Sequence, residues 1–138
     1  MDAFDADVLI YAIDDRHPLG TLIARLFDSS AEVGNDESVG MGSVLLIPEL
    51  LSKPLRSDNQ SEFVSLLFIL SRLTLRALDA QIANAAAELG AKYRLKPIDA
   101  AHLATAAHAG ADRFITNNRK DFGRVAIDEI AITFPEQL

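Results

Sequence analysis

Short apolar segments alternate with longer helical patterns along this chain, and that alternation constrains its fold more tightly than any single residue. Asp2–Asp5 reads as a first strand, followed at once by the apolar run Val8–Ile13. Leu19–Asp28 spaces Leu22, Ile23, Leu26 and Phe27 as a helix does, and Pro18 suits a first helical turn. The polar stretch Glu32–Ser38 predicts a loop, and Val39–Gly42 a weak strand. Ser43 is placed to cap the next helix, which contains Glu49 and which Pro48 is expected to kink. Asn59–Ser71 predicts a helix that is apolar around nearly its whole circumference, through Phe63, Val64, Leu66, Leu67, Phe68, Ile69 and Leu70. Leu73–Leu78 alternates like a strand. Asp79 caps an Ala-rich helix to about Tyr93, Pro97 resets the chain, and Ile98–Ala109 forms another helix that Gly110 ends. Arg113–Thr116 and Ala131–Thr133 are the last strands.

Strand and helix recurring in this order predict an α/β fold, a mostly parallel sheet with helices on both faces. At 138 residues, 49% of them hydrophobic, the chain is expected to form one domain over residues 1–138. In such sheets, sites lie beyond the carboxyl ends of the strands. Asp5 closes the first strand, and Asn117 and Asn118 follow the fourth.

Composition narrows the chemistry. There is no Cys, so disulfides, thiolate metal sites and thiol nucleophiles are excluded. The first residues do not read as a signal peptide and no apolar stretch reaches transmembrane length, so a cytoplasmic protein without a membrane partner is expected. The net charge of −7 is uneven: residues 1–62 hold twelve acids and four bases, residues 63–138 eight acids and nine bases. Affinity for phosphates comes largely from Lys and Arg, so a nucleic-acid function here requires a local basic patch or metal ions. The acidic half suits a partner with basic segments.

Neither phosphate-loop signature, G-x-x-x-x-G-K-[ST] or G-x-G-x-x-G, occurs, nor does the G-x-S-x-G nucleophile elbow. His102 and His108 stand six residues apart, which is not the spacing of a zinc pair, and with His17 they read as structural. What remains is carboxylate. Asp5, Glu49, Asp99 and Asp121 each sit at the end of an element or inside an apolar helix, where a buried charge requires a partner. Asp99 has an ordinary alternative, as a helix cap. Together these acids offer the hard oxygen ligands that Mg²⁺ and Mn²⁺ prefer, the set that a metal-assisted phosphodiester hydrolase uses. Asp5 is expected to be a ligand, whereas Asp7 is expected to cap the following helix or to orient Asp5.

Three segments taken in order, FDADVLIYAID, GSVLLIPELL and KPIDAAHLATAAHAGADRFITNNRKDF, resemble the PIN-domain family, in particular its VapC-type ribonuclease toxins of type II toxin–antitoxin pairs. The resemblance covers essentially the whole chain. It implies a three-layer α/β/α sandwich, a site dependent on Mg²⁺ or Mn²⁺, endonuclease action on RNA, and a cognate antitoxin that inhibits by reaching the acidic cleft. Matched residue by residue, the metal-binding acids fall on Asp5, Glu49 and Asp99. Many relatives carry T-x-D-x-D after the fourth strand; here Thr116-Asn117-Asn118 is followed by Asp121. Asn118 stands at the acid's position and offers an oxygen without charge; Asp121 or a water is the other way to complete the shell. Thr116 and Ser43 are candidate supporting hydroxyls. A homodimer through the apolar helix Asn59–Ser71 is expected both from its circumference and from the family.

Three other readings fit less of the sequence. Asp5-Ala6-Asp7 also opens the motif of haloacid-dehalogenase-type phosphatases, but Leu9 stands where Thr or Val is required and no later Lys and paired-Asp signature follows. A PIN-like structure-specific DNA nuclease would use the same metal chemistry. A PIN-like module that binds without catalysis has no need of three intact acids.

Overall fold

The computed structural model describes residues 1–28 and 38–138. Strands β1 (Asp2–Phe4), β2 (Gly40–Ser43), β3 (Leu73–Arg76), β4 (Arg113–Ile115) and β5 (Ala131–Thr133) form one parallel sheet in the order β3-β2-β1-β4-β5. Parallel neighbours cannot be joined by tight turns, so each connection carries helix. Helices α1 (Ala6–Ala12) and α2 (Gly20–Asp28) lead from β1 towards β2, and α3 (Leu46–Arg56) and α4 (Gln60–Ser71) from β2 to β3. Helices α5 (Ala80–Tyr93) and α6 (Pro97–His108) lead to β4, and the short α7 (Arg119–Phe122) precedes β5. Among the described residues, no helix is long and apolar enough to cross a membrane.

Alternation along each strand divides the core between the two faces of the sheet. Ala3, Met41 and Phe114 pack with Leu89, Ala100, Leu103 and Ala104 of α5 and α6. Their neighbours Phe4 and Ile115 point the other way, into Leu9, Ile23, Leu46, Leu50 and Leu66 of α1 to α4. This is the expected three-layer α/β/α sandwich. Gly40 allows β2 to lie close to β1: a Cβ there would come within 2.4 Å of the Asp2 carbonyl oxygen.

Several boundaries differ from the sequence reading. The loop expected over Glu32–Ser38 lies, all but Ser38, outside the described residues. Strand β1 stops at Phe4, and Asp5 rather than Asp7 caps α1, its Oδ1 accepting from the Ala6 N–H at 2.8 Å. Ser43 is the last residue of β2 instead of a helix cap; its Oγ accepts from the Leu45 N–H at 3.2 Å. Pro48 does not kink α3, because it sits in the first turn, whose N–H groups have no helical acceptor. The proline inside that helix is Pro54. Strand β3 ends at Arg76, two residues before the expected Leu78. Asp79 does cap α5, accepting from the Ile82 N–H at 2.8 Å, whereas Asn59, expected as the first residue of its helix, caps α4, accepting from the Glu62 N–H at 3.1 Å.

Candidate active site

Asp5 follows β1 directly, its N–H donating to the Ile115 carbonyl at 2.9 Å, so its side chain emerges at the carboxyl edge of the sheet. It is only 5% exposed. One oxygen accepts from the Ala6 N–H, the other from the Thr116 hydroxyl at 2.7 Å. Burial pushes its pKa up, against the opposing pull of His102 and these two hydrogen bonds.

Asp7 stands in the first turn of α1, its Oδ2 accepting from the Asn117 N–H at 3.0 Å. Its Oδ1 is buried without a partner, as is Oδ1 of Asn117. Burial, followed by the nearby charge of Asp5, pushes the Asp7 carboxyl up to about 7. Asp7 thus ties α1 to the segment after β4 and shares the electrostatic strain of Asp5.

Asp99 occupies the first turn of α6 but caps nothing, since Lys96 is the N-cap and makes no side-chain bond there. Burial, then the charges of Asp5 and Asp121, push its carboxyl up to about 6; protonated, it donates a hydrogen bond to Asp121. Asn118 fixes Asp121 twice over. Its Oδ1 accepts from the Asp121 N–H at 3.2 Å, and its Nδ2 donates to Asp121 Oδ2 at 3.0 Å. That second bond, helped by the Lys96 charge, holds the Asp121 carboxyl below its usual range. Asn118 and Asp121, the two candidates for the fourth acid's position, are thus bonded to each other, and Asp121 lies near Asp99.

Glu49 lies in the first turn of α3 and is engaged by Nε2 of His102. The His102 side chain is nearly inaccessible, and its Nδ1 is buried without a partner. Burial alone would lower the His102 pKa, but the Glu49 hydrogen bond and the charges of Asp5, Glu49 and Asp99 outweigh it and raise the value. His102 is accordingly more than a packing residue. Its spacing from His108 hid this, because its partner comes from another helix.

The donor types suit a hard divalent cation. Five carboxylates, Asp5, Asp7, Glu49, Asp99 and Asp121, influence one another at this edge, and burial raises the pKa of Asp5, Asp7 and Asp99. Among the described residues, however, no three acids or imidazoles already stand around one point as metal ligands do. His102 holds Glu49, and Asp99 leans to Asp121. The chemistry fits a metal, while closing a shell requires these side chains to turn.

A family model for the PIN domain matches residues 3–128. The chain belongs to the PIN domain family. Solved structures with the same fold include DNA-bound VapBC from Salmonella typhimurium, with a TM-score of 0.73 and 20% identity, covering 97% of each chain. A toxin–antitoxin complex from Klebsiella pneumoniae aligns at a TM-score of 0.66 and 22% identity, over 96% of this PIN domain and 100% of that chain. VapC20 of Mycobacterium tuberculosis, described as a sarcin-ricin loop cleaving toxin, gives 0.66 and 14% identity, over 92% and 98%. No curated protein matches the chain at a significant level.

Within this PIN domain, Asp5, Asp99 and Asp121 come together at the carboxyl edge with Asn118 and Thr116 behind them, and Glu49 adjoins them through His102. Ser43 makes its bond to backbone rather than to an acid. The role of Asn117, whose N–H holds Asp7, had no sequence signal beyond its place after a strand.

Proposed function

We propose that this PIN domain is an endoribonuclease dependent on Mg²⁺ or Mn²⁺, the toxin of a toxin–antitoxin pair that works in the cytoplasm. The observation that carries the reading is the carboxylate group at the carboxyl edge, where half-buried Asp99 lies within electrostatic reach of buried Asp5 and Asp121. Asp5, Glu49 and Asp99 would hold the metal, with Asp121 adding charge beside them. A bound cation of this kind polarises a phosphoryl oxygen and lowers the pKa of an attacking water. Thr116 fixes one oxygen of Asp5, and Asn118 orients Asp121. His102 keeps Glu49 at the rim of the group. Phosphodiester hydrolysis with such a set needs no side-chain nucleophile, consistent with the lack of Cys.

Shared fold with chains from toxin–antitoxin complexes supports a cognate antitoxin as partner. An antitoxin Arg reaching the acids would pair with the same oxygens that bind metal. The test is cleavage of total cellular RNA with Mn²⁺ by highly purified protein, with 5′ ends mapped by sequencing. Defined cleavage sites that disappear in the Asp99→Asn protein are expected. Equal cleavage by both proteins, or none by either, defeats the reading.

A further inference from the structure

An acidic chain that handles RNA needs a place where cations gather, and the turn between α5 and α6 provides one. A cleft of 270 Å³ beside this turn is lined by Lys92, Tyr93, Arg94, Arg124 and Val125. One wall is built from hydrogen bonds: the Tyr93 hydroxyl donates to Glu129 at 2.8 Å and accepts from the Asp128 N–H at 3.1 Å. Lys92 is committed to the same Glu129, at 2.8 Å. Arg94 and Arg124 are the exposed guanidinium groups left to the cleft.

Arg94 occupies the left-handed position that ends α5, with φ 56° and ψ 44°. Glycine takes that conformation without strain and is the usual residue there. A guanidinium has no local structural reason to stand at this point, since Arg94 makes no ion pair among the described residues. The cleft also adjoins the acids. Nη2 of Arg124 is 4.0 Å from Asp121 Oδ1, a loose contact, and Lys96, two residues beyond Arg94, acts on the same Asp121. Val125, 51% exposed, adds an apolar surface beside the two guanidinium groups. Planar guanidinium groups match phosphate bidentately, and an apolar wall suits a ribose or base edge.

We propose that this cleft binds a backbone phosphate of single-stranded RNA and leads the strand to the carboxylates. The inference rests on the nuclease reading for its choice of ligand, but binding can be measured without cleavage. The probe is a fluorescein-labelled 12-nucleotide RNA of mixed sequence. The full chain carries Asp99→Asn so that the strand survives, and anisotropy is followed from 50 to 300 mM KCl.

Adding Arg94→Gly is expected to raise Kd about 3- to 10-fold and to reduce the slope of log K against log salt by about 0.7, one phosphate contact on a single strand. Its melting temperature should stay equal or rise, because the left-handed strain is relieved. Arg124→Gln should weaken binding similarly. Arg56→Gln, in the last turn of α3 and about two turns beyond Glu49, removes the same charge and should leave the slope unchanged.

Unchanged affinity and slope with Arg94→Gly overturns the proposal. So does an equal loss with Arg56→Gln. Should wild-type protein fail to cleave while Arg94→Gly still weakens RNA binding, the nuclease reading falls and the cleft stands. Should wild-type protein cleave while Arg94→Gly leaves RNA binding unchanged, the nuclease reading stands and the cleft falls.

Discussion

Replacing Asp7 with asparagine is expected to stabilise the metal-free protein above pH 7 and to change little near pH 4. The Asp7 carboxyl rises from an ordinary 3.8 to about 7 in the folded chain. The folded state therefore holds this proton more tightly than the unfolded chain does. Its contribution to stability is complete below pH 3.8 and is lost as pH rises through about 7. Each pH unit of displacement corresponds to about 1.4 kcal/mol, giving about 4 kcal/mol at the high-pH limit. Solvent at its partly open side trims this to about 2–3 kcal/mol. An amide keeps the oxygen that accepts from the Asn117 N–H and carries no charge to bury.

For a chain of this size, about 4 °C accompanies each kcal/mol, so Asp7→Asn should melt about 8–12 °C higher than wild type at pH 8.5. Circular dichroism melts in EDTA from pH 4 to 8.5 measure this directly. The difference should open between pH 4 and 8 and narrow when Mn²⁺ is added, since the cation relieves the same repulsion. Parallel curves for the two proteins would refute the assignment of Asp7 as a charge buried at a cost.

Asp99→Asn should lower RNA cleavage by at least about 100-fold, with the fold retained, because Asp99 caps nothing that the amide would disturb; activity within a few-fold of wild type would remove Asp99 from the metal site. Millimolar Mn²⁺ should raise the wild-type melting temperature at pH 7.5, and much less in the Asp5→Asn protein; no shift in differential scanning calorimetry counts against metal binding. Thr116→Val removes the hydroxyl that donates to buried Asp5, at a cost of about 1–3 kcal/mol, read as a lower midpoint in urea. Helix α4 leaves Val64, Leu67 and Phe68 between 47% and 62% exposed, so a homodimer through this face is expected; Phe68→Glu should give a monomer by light scattering, and a wild-type monomer at micromolar concentration contradicts the interface.

The fold was largely legible in the chain because its periodicities are local. Apolar spacing, Asp79 as a cap, and Pro97 and Gly110 as boundaries act over a few residues, and the structure repeats them. The misjudged positions were those where two local roles compete. Ser43 had the side chain of a cap but the backbone of a strand, and Asp5 both ends a strand and caps a helix.

For the site, the sequence by itself determined the residue types: acids in apolar surroundings, no thiol, and an asparagine at the position where the family resemblance implies a carboxylate. Only the tertiary structure decided which of them meet. The contact of Asp99 with Asp121 and that of Glu49 with His102 each join separate elements, across 22 and 53 positions of chain. The cost of burying Asp5 and Asp7 likewise depends on the helices that exclude water from them. No local pattern encodes a dielectric environment or a partner that arrives from another layer of the fold, because both exist only once the layers have packed.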